Sequence, residues 1–195
     1  GRIIRIAAKG TRQPESVDFA TLATDQLLQL HHHPSQWYVR KARTELSYRS
    51  QNTTSSEFDV SAVRQKLRQQ CVTSQDEATA LESLWSLAVV GGFDESIATQ
   101  LLDAPHAAVR SWTIRLLGDA GKVSETMAHR LDSFAEQEPN VHVQQQLACT
   151  ARRLPSHQAV PIINANINRE IDNNDPYLPL LWWWAVEQHC IDGRD

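Results

Sequence analysis

Four stretches of this sequence repeat one arrangement: "HPSQWYVRKARTEL", "APHAAVRSWTIRLL", "EPNVHVQQQLACTA" and "DPYLPLLWWWAV". In each, a proline is followed four or five positions later by an apolar residue, namely Val39, Val109, Val143 and Leu180. The last three of these anchors lie about 35 residues apart and the first gap is about twice that, with the helix around Leu84 and Trp85 standing in for the skipped unit. A period in this range with two helices per unit is the signature of an α-solenoid. One pair of amphipathic helices cannot cover its own apolar flank, so pairs must stack to close a common core. The expected fold is all-α, an α-solenoid of about five antiparallel helix pairs.

Helical spacing supports the individual elements. Thr24 reads as the cap of a short helix carrying Leu27, Leu28 and Leu30, which ends at the histidines before Pro34. Ser35 then caps a helix whose apolar face is Val39, Ala42 and Leu46. Val60, Val63, Leu67 and Cys71 share one face, and Leu81, Leu84, Trp85 and Ala88 another, closed by Gly91-Gly92. Further stripes are Ile97 with Leu101; Val109, Trp112 and Leu116, ended by Gly118; and Met127, Leu131 and Phe134. A helix from about 140 to 153 comes next, then a stripe of Val160, Ile163, Ile167 and Ile171. "IINANIN" alternates as a strand also would, and the helical neighbours favour helix. The last helix starts near Pro176.

The opening "GRIIRI" reads differently, as a β-branched strand ended by Lys9-Gly10. A lone strand leaves backbone groups unpaired, so its sheet is expected elsewhere, and residues 1–23 read as a strand with a polar connector ahead of a helical domain at 24–195. The chain has 195 residues, 41% of them apolar and 22% charged, which suits a folded domain rather than a disordered one. Twenty-three acidic against 19 basic residues give a net charge of -4, so no overall basic field draws nucleic acid. Cys71, Cys149 and Cys190 lie far apart, without CxxC or CxxCH, and write neither a zinc nor a haem site. No stretch reaches the ~18 apolar residues of a membrane helix, and residues 1 to 20 lack the pattern of a signal peptide, so no direct membrane insertion is expected.

The Val-Arg steps in "WYVRKA" and "AAVRSW" resemble HEAT repeats, whose second helix often follows a proline turn; Gln144 and Leu181 replace the arginine in the later units. The succession "GRIIRI", "LLQLHHHPSQWYVRKAR", "ALESLWSLAVVGGFDE", "VRSWTIRLLGD" and "DPYLPLLWWWAVE" is similar to a narrower family, the haem-binding PVC-type proteins, large membrane-bound dehydrogenases of planctomycete bacteria. In that family a β-propeller like that of sugar and sorbosone dehydrogenases precedes HEAT-like repeats, and a c-type cytochrome domain often follows. The resemblance implies that "GRIIRI" is the last strand of the upstream propeller and that c-type haem is bound downstream, with no cofactor in this segment. It also implies a periplasmic, extracytoplasmic location and a noncatalytic scaffold whose partners are the two flanking domains. No residue here inherits a catalytic or cofactor role.

Several clusters invite sharper readings. His31, His32 and His33 suggest a metal, but neighbours on a helix point about 100° apart, so a helix-end role fits better. Arg40, Lys41, Arg43 and Arg49, with Arg64, Lys66 and Arg68, form a candidate basic stripe. HEAT-like DNA glycosylases use such a surface, which makes a nucleic-acid-binding or glycosylase protein the alternative function. Pairing with Glu45, Glu57, Asp59 and Asp76 is the structural reading of the same arginines. Trp182, Trp183 and Trp184 cannot all face one core, which makes Trp182 and Trp183, with Arg40 and Arg43, the candidate interaction surface for another protein. Trp37, Trp85 and Trp112 read as core. Catalytic motifs such as GxSxG, HExxH, a Walker loop or GxGxxG are not written here, and Asn52-Thr53-Thr54 is formally a glycosylation sequon that reads as an exposed loop.

Overall fold

A computed structural model of the chain describes residues 8–10, 17–52, 58–167 and 175–192. "GRIIRI" and Ile171 lie outside the described residues. Among those described, every regular element is helical: α1 (Thr24–Gln29), α2 (Gln36–Gln51), α3 (Val60–Thr73), α4 (Glu77–Val89), α5 (Glu95–Leu101), α6 (Ala107–Asp119), α7 (Glu125–Gln137), α8 (Val141–Ala151), α9 (Ser156–Ile167) and α10 (Leu178–Asp192). Local chemistry sets many starts. The side chains of Asp59, Asp76, Asp94, Ser124 and Asn140 accept from the free N–H groups of α3, α4, α5, α7 and α8. At α1 the cap is Ala23, not Thr24, because Gln26 reaches back to the Ala23 N–H at 2.8 Å and does the capping from inside the helix. Ser35 does precede α2, but its N–H donates to His33 Nδ1 at 3.0 Å and its hydroxyl caps nothing.

The helices alternate between two layers. α2, α4, α6, α8 and α10 pack side by side in one, and α3, α5, α7 and α9 in the other, while α1 folds onto α2. This is an α-solenoid-like stack of helix pairs. Two hydrophobic clusters fill the space between the layers, one running from Leu27 to Val109 and one from Ala98 to Ala185, and they interleave at α5 and α6. Side chains such as Leu46, Leu67, Leu84, Ile114, Leu131 and Leu147 are fully buried there, each stabilising the stack by about 1.5–3 kcal/mol relative to exposure.

Two stripes and one helix end differ in detail from their sequence reading. α4 buries Thr79, Glu82, Ser83 and Ser86 as well as Leu84, while Leu81, Trp85 and Ala88 stay partly exposed, because α2, α3 and α6 enclose the helix on most sides. α9 turns Val160 and Ile167 outward and buries Ala159, Ile162, Ile163 and Asn166. Gly118 lies inside α6: a Cβ there would sit 2.7 Å from Thr150 Cγ2, so this glycine lets α6 and α8 approach, and the chain turns at Gly121 with φ of 70°.

One ion pair ties successive units together. Arg110 on α6 grips Glu138, just past α7, through Nε and Nη2 at 2.7 and 2.8 Å, and its Nη1 donates to the carbonyls of Ala104 and Pro105. The Glu138 side chain is 2% exposed, so losing the guanidinium strands a buried carboxylate. Arg110→Ala is expected to lower unfolding stability in urea by about 3 kcal/mol or more. Lys66→Ala, which breaks the exposed pair with Asp25, should change it by no more than about 0.5 kcal/mol.

Candidate functional site

The face of the α2–α10 layer turned away from the second layer carries two hollows side by side. The first, about 520 Å³, lies between α2, α4 and α6 and is lined by Arg40, Arg43, Glu82, Trp85 and Trp112 among others. The second, of the same size, lies between α6, α8 and α10 and is lined by Arg115, Gln146, Cys149, Arg152 and Trp184. No helix of the α3–α9 layer reaches either lining. The α6 ridge, with Trp112 on one flank and Arg115 on the other, separates them.

Guanidinium–indole stacks organise this face. Arg43 lies over Trp85 at 5.1 Å, Arg115 lies over Trp112 at 4.9 Å, and the two indoles meet edge to face at 5.0 Å. A guanidinium resting on an aromatic face keeps its N–H edges free for a planar acceptor. Arg43 has that acceptor within the chain: Glu82 at 2.8 Å, whose carboxyl is pushed above the usual range by burial and drawn partly back by Arg43 and Arg40. On α8 the sixth residue past the N-cap is Gln146 where α4 has Glu82, while the α6 residue opposite Arg43, with Val109 set against Val39, is Thr113 rather than Arg115. Among the described residues Arg115, Arg40 and Arg152, all three exposed, form no ion-pair contact with a carboxylate, although Arg40 lies near enough to Glu82 to act on its charge.

Of the candidate surface residues, Arg40 and Arg43 do come together in the first hollow. Trp182 does not reach the surface: at 2% exposure it belongs to the core, because that side of α10 faces α8 and α9. Trp183 is 62% exposed, and the exposed member at the second hollow is Trp184. Trp85 and Trp112 are half-buried in the stacks, and Trp37 is 51% exposed, packed on Phe19 and Tyr38 with Lys41 above it. The rest of the basic stripe is engaged. Arg64 donates to the Val90 carbonyl, Arg68 to the Gly92 carbonyl and Asp94, Arg49 to Glu45 and the 19–22 carbonyls, and Lys66 to Asp25. Arg115 and Arg152 were missed by sequence reading; nothing in their local spacing marks them, since the stacking partner and the missing carboxylate are both facts of packing.

The three histidines diverge. His31 is buried with Nε2 at 3.0 Å from Ser86 Oγ, His32 Nδ1 is 3.2 Å from Thr79 Oγ1, and His33 sits in the turn before α2. Among the described residues no group of three or more His, Cys, Asp or Glu is placed to hold a metal ion, and no helix is long and apolar enough to cross a membrane. Comparison of the chain with known protein families, with curated proteins and with solved structures finds no match.

Burial lowers the His31 pKa to about 4, with the charges of His32 and Arg43 acting in the same direction. The unfolded chain, with an ordinary value near 6.5, therefore binds this proton first, and stability falls as pH drops from about 6.5 towards 4. The loss reaches about 3 kcal/mol at the acid end. His31→Gln should flatten the melting temperature between pH 6.5 and 4.5. For the thiols, burial pushes Cys71 up to about 12 while Cys149 and Cys190 are exposed. A water-soluble maleimide should add twice to the native protein and a third time only after unfolding, as counted by mass.

Proposed function

We propose that this chain is a noncatalytic HEAT-like scaffold that holds other modules at its two ends, and that it works by geometry rather than chemistry. The observation that carries this reading is where the aromatic surface lies. Every exposed large aromatic among the described residues, Trp37, Tyr48, Tyr177, Trp183 and Trp184, is on α2, on α10 or at the start of α10. Those two helices close the α2–α10 layer, each with a neighbour in that layer on one side only. Terminal units of a solenoid that stands alone carry polar outer faces; aromatic ones suit packing against a further surface.

In the arrangement that the resemblance implies, those neighbours are a sorbosone-dehydrogenase-like propeller and a c-type cytochrome domain in a periplasmic electron-transfer protein. The stack between them sets distance and orientation between donor and haem acceptor, because a continuously packed core resists bending. None of its own residues takes part in the transfer. The test is an absorption spectrum of the chain as its gene encodes it, extended beyond both ends and made in a host that attaches c-type haem, beside that of residues 1–195. A haem band in the long form and none in the short one is expected. A long form without the band overturns the redox placement.

A further inference from the structure

We infer that the second hollow, between α6, α8 and α10, is the docking site for an acidic, extended polypeptide segment of a partner protein, whose carboxylates are taken by Arg115 and Arg152 beside Trp184. The inference rests on the scaffold reading above and supplies its partner chemistry. Its basis is a comparison within the molecule. The stack of Arg43 on Trp85 shows what such a fork does here: it holds the carboxylate of Glu82 at 2.8 Å. Arg115 lies on Trp112 of its own helix, and the neighbour in its lining is the amide of Gln146 rather than a carboxylate. The fork is thus pre-organised for an acceptor the described residues do not provide, so little rotamer freedom is lost when one arrives from outside. Arg152 adds a second such charge to the same lining, and Arg153, which also lines it, is already satisfied by Asp119 at 2.7 Å.

Charge complementarity selects the occupant. In a chain of net charge -4, the second hollow gathers Arg115 and Arg152 with no ion-pair partner among the described residues, and Arg40 stands in the neighbouring hollow beside Glu82. An extended acidic strand can meet spaced guanidiniums one by one and lay an apolar side chain on Leu181 and Trp184, which share the second lining. Nucleic acid fits less well. Proteins that grip a duplex neutralise on the order of 6–10 phosphates, and a single strand stacks successive bases on several open aromatic faces, whereas guanidiniums lie over Trp85 and Trp112 and Trp184 is the one aromatic in the lining of the second hollow.

The experiment is fluorescence anisotropy with the full chain and a short fluorescein-labelled peptide of repeating Glu-Leu-Glu-Gly, at low salt, beside its lysine-for-glutamate counterpart and a fluorescein-labelled oligothymidine. The acidic peptide should bind and the basic one should not. Arg115→Gln with Arg152→Gln should weaken binding at least about tenfold, while Lys122→Gln, an exposed charge outside the hollow, changes it less than about twofold. Melting curves confirm that the variants are folded. Absence of acidic-peptide binding, binding indifferent to the double variant, or arginine-dependent binding of oligothymidine alone each overturns the inference, the last in favour of a nucleic-acid surface. Failure here with a haem band present in the extended chain leaves the scaffold reading intact; peptide binding without that band removes the redox setting and keeps the docking site.

Discussion

A helix that is buried on more than one side cannot be satisfied by a single partner, and most of this molecule follows from that constraint. α4 shows it plainly. Its buried set of Ala80, Glu82, Ser83, Leu84, Ser86 and Leu87 covers most of its circumference, so α2, α3 and α6 are all needed around it. Each inner pair inherits an open flank from its neighbour and passes one on. The core is continuous for that reason, and exposed aromatic surface gathers at α2 and α10.

Polar groups caught in this stacking have to be matched across units rather than within them. Arg110 and Glu138 are joined over 28 positions, Arg43 and Glu82 over 39. Arg64 and Arg68 of α3 spend their donors on carbonyls of the α4–α5 turn, where the backbone has left its helix and would otherwise lack partners. His31 is the costly case, buried between α4 and the first helices, with Nδ1 lacking a partner among the described residues. Among the described residues the arginines without an ion-pair contact, Arg40, Arg115 and Arg152, line the hollows of the α2–α10 layer.

Much of the architecture was legible in the sequence. The proline turns and apolar spacing placed most helices to within a few residues, and the apolar faces of α2, α3, α5 and α7 were read correctly from spacing alone, whereas the caps read at Thr24 and Ser35 are made by neither side chain. Legibility failed where a second neighbour intervened. Gly118 looks like a helix end and is a point of close approach to Thr150; Val160 and Ile167 look like core and face outward, because α7 and α10 meet α9 along a different line. Of the candidate site, Arg40 and Arg43 could be named from the Val-Arg step and its surroundings. Arg115 and Arg152 could not.

What the sequence determined by itself is the series of amphipathic helices and the spacing at which they stack. These depend on interactions within a turn or two of chain, and such interactions are written in residue spacing. What only the tertiary structure decided is which side of each helix is enclosed twice, which tryptophan of Trp182, Trp183 and Trp184 is core, and which guanidiniums find a carboxylate. Those outcomes depend on groups that lie about one repeat or more apart along the chain and meet only when the layers close, so no local pattern records them.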